Sequence, residues 1–231
     1  MVRRTLACAV ATSVVAVAAA CGGSSTPAAA PAAAAPPLSA PQLTALLLTA
    51  ADLPAGYTVQ STAPNENSGL RTREPDCSEF RLGFDFVDNA APASAQVAAL
   101  VIQPDAAGYG WRGVETLRAY PGDGAHSVMA TIRRYVAKCP SGVDLSGDPT
   151  KFAVAPGTGT GDESLTVTAR TTKNEGIRVA DTDITFIRRG GVLIALHENA
   201  SLAPDTGVSD QLIAVAKAAD AKAAEGTAVK G

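Results

Sequence analysis

The chain has 231 residues and a formal net charge of −3; 46% of it is hydrophobic but only 4% is aromatic. This length suits one domain with a sizeable core. Mild acidity and the lack of any Lys/Arg run argue against nucleic acid as a partner and against a basic membrane-binding patch.

Arg3 and Arg4 open the chain as a short positive region, and the uncharged apolar run Thr5 to Val17 has the length of a signal-peptide core rather than a membrane span. Ala18-Ala19-Ala20-Cys21 then resembles a bacterial lipobox, where the cysteine takes a diacylglyceryl group and the leader is cut before it. Ala18 stands where such motifs usually carry Leu, and Ala18-Ala19-Ala20 also fits ordinary secretory cleavage. Cysteine number bears on the choice. Cys8 leaves with the leader, so Cys21, Cys77 and Cys139 remain. If Cys21 carries lipid (thioether diacylglycerol, with palmitate), Cys77 and Cys139 are left as one disulfide pair in an oxidising compartment. Residues 1–20 are therefore expected to be a lipoprotein signal peptide, and the protein to sit on the outer face of the cell membrane, held there through Cys21. No later apolar run is long enough to span a bilayer.

Residues 21–38 form a Pro/Ala-rich spacer. Gly22 to Pro37, if polyproline II, would reach on the order of 50 Å at ~3.1 Å per residue. The extracytoplasmic domain is expected over residues 39–231. Ser39 and Gln42 fit a capping box with Pro41 in the first turn, predicting a helix that stops before Pro54. Tyr57 to Gln60 then reads as extended, and residues 61–75 as a loop. Asp76 suits the N-cap of a short helix carrying Cys77, Phe80 and Phe84. Ala95 to Gln103 predicts a strand buried on both sides, and Trp111 to Tyr120 an alternating one. Asp123 should cap a helix in which Val128, Ile132, Tyr135, Val136 and Cys139 share a face, with Pro140 past its end. Lys151 to Val154 and Ser164 to Thr171 are further strand candidates. Thr182 to Arg189 and Val192 to Asn199, joined by Gly190-Gly191, make the clearest hairpin. A last helix is expected from about Ser209 to Glu225, with Leu212, Val215, Ala216 and Ala219 inward. Strand groups each closed by a helix predict an α+β domain: one antiparallel sheet with two or three helices packed beside it.

Four stretches of this text, in this order, carry a resemblance: LLLTAADLPAGYTV (46–59), TIRRYVAKCP (131–140), GTGTGDES (157–164) and IRRGGVLIAL (187–196). Together with the Ala-rich final helix they resemble actinobacterial lipoproteins and sensor-domain proteins related to the extracellular domain of the mycobacterial kinase PknH. The resemblance spans roughly residues 40–225. It implies a curved antiparallel sheet, helices beside it, a cleft, and ligand sensing outside the cell. This chain departs from the kinase pattern in having no kinase domain, no transmembrane helix, and one cysteine pair where those domains have two. Signalling therefore does not carry over; the resemblance implies at most the fold and a binding role.

No motif names a reaction. His126 and His197 lack partners at metal-ligand spacing, so neither a metal nor a cofactor is expected. No G-x-S-x-G occurs. Gly157 to Gly161 is followed by Asp162-Glu163, which would repel a phosphate, and reads as a turn. On a strand, Asp162 and Glu163 would point to opposite faces. Arg188 and Arg189 are expected as exposed hairpin-tip cations, with anion binding as the lesser reading. The expected function is ligand binding or sensing without catalysis, with a small molecule, lipid or protein as ligand. The alternatives are a cell-surface hydrolase with dispersed catalytic residues, or an accessory protein acting through protein contacts.

Overall fold

Along the strands, side chains alternate between two faces of one sheet, and both faces are apolar at its centre. In β7 (Arg178–Arg189), Ile184 and Phe186 point to one face while Thr185 and Ile187 point to the other, and all four are fully buried. Such a strand needs cover on both sides, and helices supply it. The computed structural model describes residues 36–64, 77, 91–105, 110–143, 147–173, 178–200 and 208–228. The leader, most of the spacer, and the proposed helix around Phe80 and Phe84 lie outside them.

The remaining strands are β1 (Thr58–Thr62), β2 (Ala95–Gln103), β3 (Trp111–Ala119), β4 (Ser141–Val143), β5 (Pro149–Pro156), β6 (Glu163–Thr172) and β8 (Val192–Ala200). They form one sheet in the order β1-β2-β3-β8-β7-β6-β5-β4, with every neighbouring pair antiparallel. After β3 the chain crosses one face through helix α2 (Gly124–Lys138) to the far edge, then meanders back until β8 closes against β3. The expected α+β class with an antiparallel sheet and flanking helices is what the chain adopts. β4 is too short to show a pattern in the sequence.

One face carries α1 (Ala40–Thr44), a 3-10 turn (Ala50–Asp52) and α3 (Asp210–Ala228), which bury Leu43, Leu212, Val215, Ala216 and Ala219 against Val101, Leu117 and Ile194. The other carries α2, whose Val128, Met129, Ile132, Tyr135 and Val136 pack on Phe152, Leu165, Val167, Ile184 and Phe186. Ser209 accepts the Leu212 N–H at 3.0 Å and starts α3. Asp123 holds the N-cap position of α2, but its side chain makes no capping bond; its carbonyl accepts the Ser127 N–H.

The first helix is shorter than expected. Leu46, Leu47 and Leu48 are all buried, and three consecutive residues of a helix span 200° of its circumference, so they cannot all face one sheet. The chain instead leaves the helix after Thr44. The Leu48 N–H is taken by the Glu115 carboxylate at 2.9 Å, and Thr49 and Asp52 form a second capping box around the 3-10 turn.

Candidate functional site

The buried face of helix α2 stays largely apolar to its last turn, and β5 alternates Phe152 and Val154 with lysine and alanine. Where the two meet they leave an open groove of about 380 Å³ lined by Arg133, Val136, Ala137, Pro140, Phe152, Ala153 and Val154. Phe152 turns inward and is 5% exposed, whereas Val154 is 42% exposed, the one large hydrophobic side chain left bare among the described residues. Pro140 lies just past the helix and lines the groove, where its carbonyl accepts the Phe152 N–H at 2.9 Å. Between Ala137 and Pro140 lies Cys139, joined to Cys77 by a disulfide with Cα atoms 5.2 Å apart. The bridge therefore fastens the helix end that forms one wall. Arg133 stands at the rim, paired with Glu163.

That rim is an ion network. Glu163 is bonded by both Arg133 and Arg188, which outweigh the effect of burial and hold its carboxyl below the usual range. Asp162 accepts from Arg188 Nη1 at 3.2 Å and from the Gly190 N–H at 2.7 Å. Because β6 begins at Glu163, Asp162 lies in the turn, where strand alternation does not apply. The two acids thus converge on one guanidinium instead of pointing apart. Nor are the hairpin arginines bare cations. Arg188 serves Asp162 and Glu163, and Arg189 binds Asp220 of α3 at 2.7 and 2.9 Å. The glycine-rich stretch is a turn, with Gly159 and Gly161 at positive φ.

The opposite face holds buried polar groups that the strand pattern concealed. Arg170 grips Asp183 with both terminal nitrogens and has Asp181 at 3.6 Å; both aspartates are 2% exposed. Glu198, opposite Asp183 in register, accepts from Ser209 Oγ at 2.6 Å. Burial raises its pKa and Asp183 raises it further, against Ser209, Arg170 and the indole N–H of Trp111, which faces it outside hydrogen-bonding geometry. Glu115 is fully buried and pushed up to about 7, chiefly by burial; the Leu48 N–H and Lys222 pull the other way and Asp52 adds to the rise. These carboxylates are buried on the sheet face that carries α1 and α3, and none of them lines the groove.

His126 is exposed on α2, 3.6 Å from Glu163, and His197 is half-buried on β8. Among the described residues no group of three His, Cys, Asp or Glu side chains is placed to hold a metal ion. Among them, too, no helix is long and apolar enough to cross a membrane. Cys21 lies outside the described residues. The one advance sign of the groove was the apolar residue at every second position of 152–154.

Fold and site together describe an α+β domain with helices on both sheet faces, a disulfide, and an open apolar groove. No family model and no curated protein matches the chain. Among solved structures it is similar to the extracellular domain of PknH from Mycobacterium tuberculosis, at 15% identity and a TM-score of 0.45, over 82% of this chain and 98% of that one.

Proposed function

We propose that this protein is a lipid-anchored, extracytoplasmic domain that binds an apolar small molecule or acyl chain and does no chemistry on it. The groove beside α2 carries this reading. Its volume of about 380 Å³ falls within the range of small-molecule sites, its lining is apolar apart from Arg133, and Val154 lies bare in it. A disulfide-held wall suits a preformed site in an oxidising compartment. The leader and Cys21 supply the anchor in this reading, and the Pro/Ala-rich spacer lifts the domain at residues 39–231 away from the bilayer.

A hydrolase is less well supported. The carboxylates with raised pKa are buried away from the groove, and Ser209 Oγ is occupied in capping α3 and bonding Glu198. A protein-docking role would call for a larger bare apolar surface than the one valine found among the described residues. Native mass spectrometry of the protein taken from its host envelope tests the proposal. A co-purifying apolar molecule is expected; a protein that comes off empty, or one that cleaves offered esters, overturns it.

A further inference from the structure

We infer that Glu115 is a proton-operated latch holding the segment Leu43–Leu53 onto the sheet. This inference does not rest on the ligand reading, because Glu115 lies on the sheet face opposite α2. It sits in the middle of β3, 0% exposed, with Ala99 of β2 and Leu196 of β8 beside it in register. One carboxylate oxygen, Oε2, takes the Leu48 N–H at 2.9 Å; the other, Oε1, has no hydrogen-bond partner. The Leu48 N–H belongs to the gap between α1 and the 3-10 turn, so this bond ties the irregular part of the segment to β3. Leu43, Leu46, Leu47, Leu48 and Leu53 are buried around it.

The charged groups around Glu115 do little to keep it ionised. Lys222 of α3 faces it but is already paired with Asp52 of the 3-10 turn, whose own charge opposes ionisation. β2 and β8 present Ala99 and Leu196 there, and the next acid on the same face, Glu198 opposite Gly113, is itself buried. Protonated on Oε1, Glu115 keeps the Leu48 bond through Oε2 and buries no charge. Ionised, it buries a charge with one hydrogen bond, and lifting the segment lets water reach it. Acid closes the latch; neutral pH loosens it. The segment is the one through which the spacer enters the domain, so the proton load on Glu115 sets how firmly that entry is held.

The sign follows from linkage. The closed-state pKa of about 7 stands above the open-state value near 4.5, so extra protection is full below pH 4.5 and lost as pH rises through 7. Amide hydrogen exchange on the full protein, corrected for the intrinsic rate, should show the open population at Leu46 to Leu48 rising roughly 150-fold from about pH 4.5 to about pH 8. The amides of β7 should not follow. Glu115→Gln should remove the pH dependence of the segment. Carbon-13 titration of the Glu115 carboxyl in the unaltered protein covers the case in which that variant does not fold. Flat exchange in the unaltered protein, an unchanged pH dependence in Glu115→Gln, or a carboxyl midpoint near 4.5 each overturns the latch.

Discussion

Removing the Cys77–Cys139 bridge should destabilise the domain by roughly 4 kcal/mol while leaving the sheet intact. The two residues are 62 apart, and closing a loop of that size in the unfolded chain corresponds to about 4 kcal/mol of lost denatured-state entropy. That is a large part of the ~5–15 kcal/mol that holds a typical domain. The bridge ties the Cys77 region to the last turn of α2, where Cys139 is 2% exposed. Replacing both cysteines with alanine keeps the site apolar and avoids burying a hydroxyl. Urea titrations of the oxidised protein, the reduced protein and the double variant provide the measurement. Reduced and double-variant proteins should have a lower midpoint and a steeper slope, because an unbridged denatured chain exposes more surface. An unfolding free energy unchanged within ~0.5 kcal/mol, or two reactive thiols in the denatured, unreduced protein, would show that the bridge does not hold the fold.

Arg189→Ala should cost roughly 2 kcal/mol in chemical denaturation. It leaves Asp220, 8% exposed, without its forked partner, and the figure is discounted from fully buried pairs because Arg189 is about a quarter exposed. The double variant Arg189→Ala/Asp220→Ala should recover part of that loss; no recovery would mean the pair is not what ties α3 to the hairpin. Cys21→Ala should shift the protein from the membrane fraction to the medium, since two acyl chains hold a protein stably and a bare spacer does not. Retention in the membrane fraction would point to another anchor.

The regular elements were legible because their patterns are one-dimensional. The α3 face of Leu212, Val215, Ala216 and Ala219, and the hairpin across Gly190-Gly191, follow from spacing alone. What the sequence hid depends on pairing between distant strands. Glu115, Asp181, Asp183 and Glu198 sit at positions that alternation leaves polar, yet all four are buried, on the sheet face that α1 and α3 cover. The first helix failed for a similar reason: three adjacent leucines suit a helix locally, but the acceptor that unwinds it is 67 residues away on β3. Arg188 and Arg189 look bare in the sequence because their acids lie 25 to 31 positions off. The groove was half visible, as alternation in β5, but its other wall is the end of α2, and only the fold brings the two together.

Binding in that groove without chemistry is the central claim, and methyl-resolved NMR of the purified protein titrated with extracted host-envelope lipids tests it most directly. Saturable shifts confined to Val136, Ala137, Ala153 and Val154 are expected, and they should be lost in Val154→Glu with the ligand spectrum unchanged over hours. Shifts elsewhere, no shifts at all, or new product resonances appearing during the titration would contradict it.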